Sequence, residues 1–205
     1  IHRYVGSNSS DIHVIGVAEV HTWHGFDRFI HGMGEYYKSC KEAGSRGTRK
    51  VYFHIVGDVW NPEMYGSSRA PGFATYIKRY GLEQYVIFHG KLFGEELAKV
   101  FNQCVFAIGS LARHRSGITH IKTLKNREYA CRGIPFVYSE CDSDFDHQPY
   151  VLKVPADESP IDIQKVVDFI DSVSCKPEDI RSSVEHLSWK NQMGIVVEKV
   201  KNSSL

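Results

Sequence analysis

Residues 124–137 read LKNREYACRGIPFV, and this stretch decides the fold class. Its first part has the composition of a buried helix, Gly133 is a natural helix C-cap, and Pro135 cannot continue the helix. The apolar residues after the proline begin a strand. A helix that turns through glycine directly into a buried strand is typical of α/β proteins, in which helices connect the strands of a parallel sheet.

The same alternation of strands and helices continues on both sides of this stretch. Short apolar runs predict six strands, at residues 12–17, 51–56, 85–88, 105–108, 135–139 and 150–154. Helical patterns are predicted at residues 26–37, 73–80, 94–102, 121–132 and 163–170, with a last helix over 178–199. The sequence therefore predicts an α/β fold, a Rossmann-like three-layer sandwich with a mostly parallel sheet of about six strands.

The composition limits the class of protein. The 205 residues, 42% apolar and 24% charged, predict one water-soluble domain, with residues 1–11 as a linker and 176–205 as a C-terminal helix and polar tail. A net charge of only +1 argues against a nucleic-acid partner. Five scattered cysteines without a C-x-x-C pair favour reduced thiols and a cytoplasmic location. The chain begins with Ile1, so we expect a piece of a longer protein.

In a sheet of this kind, ligands bind beyond the carboxyl ends of the strands. The loops that follow the first five predicted strands therefore form the expected site. Candidate binding residues in these loops are His24, Gly25, Gly57, Asp58, Gly90, Lys91 and Leu92.

Residues 124–137 also resemble the helix–turn–strand element of family 4 glycosyltransferases, which have the GT-B fold. In that family a glutamate five residues before the glycine of a G-x-P turn binds the ribose hydroxyls of a nucleotide, and Glu128 holds that place here. A carboxylate suits vicinal hydroxyls because it accepts two hydrogen bonds. The alternative is an exposed helical glutamate paired with Lys125 one turn earlier.

Other elements follow in the family's order over residues 12–170. Residues 55–58, ending in Gly57 and Asp58, resemble a V-G-D/E-G strand end, and residues 86–92 resemble a strand-then-glycine element. The resemblance implies that Gly90 to Leu92 lie along the nucleotide base. Taken singly, each glycine is better explained by a tight turn.

Two sites depart from the family pattern. His120 stands where many members have a second glutamate near the sugar ring, and Ala18 and His24 stand nearest the usual diphosphate-binding Arg and Lys. Compensating cations are expected in the loop before the helix of Glu128, where free N–H groups favour phosphate. The candidates in and after this loop are Arg113, His114, Arg115, Gly117, Ile118, His120, Leu124 and Lys125. The alternative is that the two arginines are simply solvated.

The run Asp142-Ser143-Asp144 resembles a D-x-D metal motif, and Asp146 extends the alternation. A calcium loop would need glycine at its sixth position and glutamate at its twelfth, where His147 and Lys153 stand. We therefore expect a solvated acidic loop and assign no metal site.

The resemblance implies one half of a GT-B glycosyltransferase, namely its C-terminal, donor-binding domain. Such a domain binds a nucleotide diphosphate sugar without a metal or a further cofactor, for transfer to an acceptor hydroxyl, in most members with retention. The implied partners are an N-terminal acceptor-binding domain of the same protein and a lipid-linked or saccharide acceptor in bacterial polysaccharide or glycolipid synthesis. The resemblance also implies a peripheral position at the inner membrane face through the other half. Acceptor-activating groups would lie in the other half, so no catalytic residue is assigned. Two alternatives are a non-catalytic nucleotide-binding module and half of a nucleotide-sugar epimerase.

Overall fold

The computed structural model describes residues 11–44, 49–59 and 72–203. Its strands are β1 Ile12–Val17, β2 Val51–Val56, β3 Val86–Gly90, β4 Phe106–Ile108, β5 Phe136–Tyr138 and β6 Val151–Lys153. They form one sheet in the order β3-β2-β1-β4-β5-β6, and every neighbouring pair is parallel. The predicted Rossmann-like sandwich is confirmed. The direction of winding reverses between β1 and β4, and a crevice at such a switch point is where doubly wound folds bind ligands.

Helices cover both faces of the sheet. They are α1 Phe26–Glu42, α2 Phe73–Tyr80, α3 Gly94–Gln103, α4 Leu124–Cys131, α5 Ile163–Ser172, α6 Pro177–Ser183 and α7 Trp189–Ser203. Short 3-10 turns lie at Thr22–His24, Arg113–Ser116 and Glu185–Leu187. Among the described residues, no helix is both long enough and apolar enough to cross a bilayer.

Two hydrophobic cores lie on opposite faces of the sheet. Successive residues of a strand point to opposite sides, so Val14 joins the core with α1, α2 and α5, whereas Ile15 joins the core with α3, α4 and α6. The partner strand β4 follows the same rule, with Phe106 opposite Val14 and Ala107 opposite Ile15. This alternation produces the predicted three layers.

Two predicted helices differ from the structure. The predicted last helix is split into α6, a 3-10 turn and α7, because Ser188 is extended and its side chain accepts a hydrogen bond from the Asn191 N–H in the first turn of α7. Helix α4 begins at Leu124 and not at residue 121. His120 and Ile121 are held in extended conformation by a parallel bridge to Cys141, and Thr123 then caps the helix.

Candidate functional site

The loops that follow β1 and β4 are joined at the switch point. The Leu111 N–H donates to the His24 carbonyl at 2.9 Å, and the Ala112 N–H donates to the Trp23 carbonyl at 3.2 Å. Gly25 lies between them with a φ of 64°. A Cβ at this position would lie 2.8–2.9 Å from atoms of Leu111 and Ala112. Both the backbone angle and the close approach therefore require glycine.

The loops that follow β2 and β3 meet the same edge. Gly57 has a φ of 125°, and a Cβ there would lie 1.7 Å from the Ala18 carbonyl oxygen. Its N–H donates to the Gly90 carbonyl at 2.8 Å. Lys91 Nζ forms an ion pair with Asp58 at 2.5 Å. The structure thus brings together four of the predicted residues, Gly57, Asp58, Gly90 and Lys91, and it places Leu92 against the core of α3 and α4.

Three charged side chains meet beside the switch point without bonding to one another. They are Arg113 from the 3-10 turn, Lys125 from the first turn of α4 and Glu140 after β5. Lys125 Nζ, Arg113 Nε and both carboxylate oxygens of Glu140 are buried, and none finds a hydrogen-bond partner among the described residues. Each unpaired buried polar group costs about 1–3 kcal/mol, so this charged cluster is suited to a ligand that supplies the missing partners.

Burial shifts the pKa values of the charged cluster in opposite directions. It lowers the pKa of Lys125 to about 7, helped by Arg113, and raises the pKa of Glu140 to about 7. The Glu140 backbone N–H, Arg113 and Lys125 offset part of the effect on the carboxyl. Such perturbed groups, gathered at the carboxyl edge of a sheet, are typical of functional sites.

His24 adds a neutral donor next to this cluster. Burial, together with the charges of Lys125 and Arg113, lowers the pKa of His24 to about 2. Its Nδ1 accepts a hydrogen bond from the His21 N–H at 2.9 Å. The proton of the neutral ring therefore lies on Nε2, which can donate to an anion without carrying a charge.

Arg115 has a different role from Arg113. Its guanidinium binds both carboxylate oxygens of Asp27 at 2.8–2.9 Å, both of Glu158 at 2.7–3.0 Å and the Thr22 carbonyl at 2.8 Å. These bonds use all five N–H donors, so we do not retain Arg115 as a phosphate ligand. His114 also binds Glu158, at 2.9 Å. The predicted pair of arginines thus divides into Arg113, whose buried Nε has no hydrogen-bond partner among the described residues, and Arg115, which is structural.

Helix α4 is fixed to the switch point through Tyr129. The Tyr129 hydroxyl donates to the Ile108 carbonyl at 3.0 Å and accepts from the Val17 N–H at 3.2 Å. The neighbouring Glu128 is 39% exposed and binds Arg132 at 2.9 Å. The alternative partner suggested by the sequence, Lys125, is therefore wrong, because its ammonium is buried away from Glu128.

The remaining predicted residues lie on the rim of the site. Gly117, with a φ of 70°, ends the 3-10 turn, and the Ile118 N–H donates to the Arg113 carbonyl at 3.2 Å. His120 is exposed and binds the hydroxyl of Thr119 at 2.9 Å. Leu124 is exposed at the start of α4. These contacts position the loop and do not themselves identify a ligand.

The aspartates after β5 do not form the solvated acidic loop that we expected. Asp142 is buried and binds Arg127 at 3.0 Å, and Asp144 binds Arg127 and Lys122. Asp146 binds Lys153 at 2.8 Å. Ion pairs satisfy all three carboxylates, which is why an acidic run can be packed against the sheet.

Sequence reasoning missed Glu140. The available signal was its place directly after a predicted strand, at the carboxyl end where ligands bind. The acidic run at residues 142–146, which follows Glu140, is a stronger sequence signal and hides it. Its burial beside two cations depends on contacts between separate loops, and no local pattern shows them.

Comparisons with known proteins agree with the fold. No known family's sequence model matches the chain, and no curated protein matches it. Among solved structures, the galactosyltransferase WaaB of the lipopolysaccharide outer core matches with a TM-score of 0.58 at 16% identity, over 97% of this chain and 52% of that one. Anabaena HepE in complex with UDP-glucose matches with a TM-score of 0.62 at 15% identity, over 95% of this chain and 49% of that one.

A third match has the size of a single domain. The C-terminal domain of a group 1 glycosyl transferase, LpcC from Francisella tularensis, matches with a TM-score of 0.56 at 13% identity, over 85% of this chain and 83% of that one. The chain spans about half the length of the WaaB and HepE chains. Its fold is therefore that of one half of a GT-B glycosyltransferase, and the match to LpcC is to a C-terminal domain, as the sequence resemblance predicted.

Proposed function

We propose that this domain binds a nucleotide diphosphate sugar at the carboxyl edge of its sheet and forms the donor half of a glycosyltransferase. The observation that carries the proposal is that Arg113 Nε and Lys125 Nζ, at the switch point, are buried without a hydrogen-bond partner among the described residues. A diphosphate supplies the acceptors that both side chains lack, and the fold places phosphates at this edge. The complex of Anabaena HepE with UDP-glucose, a protein of the same fold, supports the class of ligand.

The proposed contacts follow the parts of the donor. Arg113, Lys125 and the Nε2–H of His24 hold the diphosphate, Glu128 accepts the ribose hydroxyls after release from Arg132, and Gly90 to Leu92 lie along the base. Lys125 and Glu128 are one turn apart on α4, so the proposed phosphate and ribose contacts come from neighbouring side chains of one helix.

The proposed transfer needs stabilisation of the leaving diphosphate. Negative charge develops on this group as its bond to the sugar breaks, and fixed cations in a buried site stabilise that charge strongly. We propose that Arg113, Lys125 and His24 perform this task without a metal ion. In this proposal an N-terminal domain binds the acceptor, which is lipid-linked or a saccharide, and supplies the groups that activate its hydroxyl. The transfer retains the anomeric configuration and takes place in the cytoplasm, in polysaccharide or glycolipid synthesis.

The test is a binding panel with UDP, GDP and ADP, measured by thermal shift and calorimetry with and without excess EDTA. At a hundred times its dissociation constant, a binding nucleotide adds about 2.7 kcal/mol of stability, or about 5–10 °C in Tm for a domain of this size. We expect one nucleotide to do so equally with EDTA. Lys125→Met should abolish most of the shift, whereas Lys165→Met, at an exposed lysine of α5, should not.

Two results contradict the proposal. No shift with any of the three nucleotides would exclude the nucleotide site. A shift that disappears with EDTA would exclude metal-free binding while leaving the nucleotide site in place.

A further inference from the structure

Glu140 is a buried acid that the proposed nucleotide contacts do not use. It lies two positions after the end of β5, and the residue is 2% exposed. Neither carboxylate oxygen meets a hydrogen-bond donor of another residue among those the structure describes. Lys153, the cation that reaches this segment, binds the Glu140 backbone carbonyl and the Asp146 carboxylate instead.

The charged groups around Glu140 indicate which hydrogen-bonding groups a ligand at this place must carry. Burial raises the pKa of Glu140, and the charges of Arg113 and Lys125 offset only part of that rise, yet neither cation forms an ion pair with it among the described residues. A ligand that satisfies all three groups must offer acceptors to the cations and donors to the carboxylate. A phosphate offers acceptors only and repels a carboxylate, whereas a sugar hydroxyl donates.

Other uses of the carboxylate fit less well. The neighbouring acids at 142, 144 and 146 are committed to Arg127, Lys122 and Lys153, and no cluster of potential metal ligands occurs in the part of the chain that is described. A structural ion pair would place Glu140 in contact with Lys125 or Arg113. Among the described residues, the carboxylate therefore has no partner from another residue and no neighbouring cluster of potential metal ligands.

We propose that Glu140 recognises the sugar of the donor by accepting hydrogen bonds from its hydroxyls. The inference rests on the proposed function. It matches the proposed order of the donor's parts, with ribose at Glu128, the diphosphate one turn away at Lys125, and the sugar at the Glu140 carboxylate, which feels the charge of Lys125. Glu140 is thus a specificity-determining residue, selecting sugars by the position of their hydroxyls.

The experiment compares Glu140→Gln with the wild-type chain by calorimetry. The ligands are whichever of UDP, GDP or ADP binds and its sugar conjugates, drawn from UDP-glucose, UDP-galactose, UDP-N-acetylglucosamine, GDP-mannose and ADP-glucose. We expect the affinity for the bare diphosphate to stay the same or rise, since a negative charge is removed. The affinity for the preferred sugar conjugate should fall by about 10- to 100-fold, because a charge-assisted bond is lost.

Two further variants keep this test decisive. Glu128→Gln should weaken the diphosphate and its sugar conjugate by the same factor, since both contain the ribose. Glu140→Asp should retain part of the preference for the sugar conjugate. In urea unfolding Glu140→Gln should be as stable as the wild type or more stable, because an unpaired buried charge is lost.

The outcomes separate the two proposals. Equal losses for the diphosphate and its sugar conjugate in Glu140→Gln, or a clear loss of stability, would overturn the sugar contact and leave nucleotide binding intact. If the wild type binds none of the nucleotides, both proposals fail together.

Discussion

At the scale of single residues, Arg113 and Arg115 show how two similar side chains in one loop acquire different roles. Arg115 is held between Asp27 and Glu158, while Arg113 Nε is buried and meets no hydrogen-bond partner in the described parts of the chain. The residue at position 27 decides this division, because Asp27 is buried on α1 and needs a bidentate cation.

Substitution should separate the two arginines. Arg113→Ala should weaken binding of the nucleoside diphosphate by about 1.5–3 kcal/mol and leave stability nearly unchanged. Arg115→Ala should destabilise the fold by about 3–5 kcal/mol, because it leaves Asp27 buried and uncompensated. Urea unfolding and calorimetry measure both quantities. If Arg115→Ala were as stable as the wild type, the ion-pair network would have no structural role.

Lys125 should make nucleotide binding depend on pH. Burial lowers its pKa to about 7, so the free ammonium loses its proton as the pH rises through neutrality. A diphosphate favours the ammonium form, which means that binding above pH 7 takes up a proton. The affinity should fall by up to about tenfold per pH unit above 7.

Calorimetry in two buffers of different ionisation enthalpy, from pH 6 to 9, measures this proton uptake directly. Lys125→Met should bind more weakly and show a flatter profile. A wild-type affinity that is constant over this range would rule out Lys125 as a phosphate ligand.

At the scale of secondary structure, three histidines cross neighbouring strands in a row. His13 Nδ1 lies 2.8 Å from His54 Nε2, and His54 Nδ1 lies 2.9 Å from His89 Nε2. The row links β1, β2 and β3, and each of its hydrogen bonds needs one protonated and one unprotonated nitrogen, so two neighbouring rings cannot both be charged. Burial lowers the pKa of all three, and that of His54 falls to about 4.

This row predicts a loss of stability in acid. Between pH 6.5 and 4 the unfolded chain protonates His54 while the folded chain does not, so the free energy of unfolding decreases as the pH falls. His54 alone should account for about 3 kcal/mol, complete near pH 4. Urea unfolding at several pH values should show a flatter dependence in His54→Gln than in the wild type or in the exposed control His147→Gln. If the free energy of unfolding had the same pH dependence in His54→Gln and in the wild type, the predicted role of His54 would be contradicted.

At the scale of the whole molecule, the sequence predicted the fold well because periodicity and glycines are local signals. All six strands and the helix of Glu128 followed from them. The helices at the end of the described chain were not predicted correctly, since Ser188 interrupts what the sequence pattern predicts as one continuous helix. Strand pairing and the cap at Thr123 likewise needed tertiary contacts.

The candidate site was predicted only in part, because local signals place some of its residues and tertiary contacts decide the rest. Residues at strand ends, such as Gly57 and Lys91, could be placed at one edge from the order of strands and loops. Whether each charged side chain is paired could not be predicted, because its partners are distant in the sequence. Arg115 and Asp27 are 88 positions apart, and Lys153 binds the Glu140 backbone carbonyl and the Asp146 carboxylate instead of the Glu140 carboxylate.

The network around Arg115 also bears on the thermodynamics of ligand capture. It fixes the segment carrying Arg113 before any ligand arrives, so little chain entropy is lost when the ligand docks. Fixing one freely moving residue would otherwise cost about 1–2 kcal/mol. A ligand that enters this edge therefore meets donors already in place, and its residence time is governed by the bonds it makes rather than by the ordering of a loop.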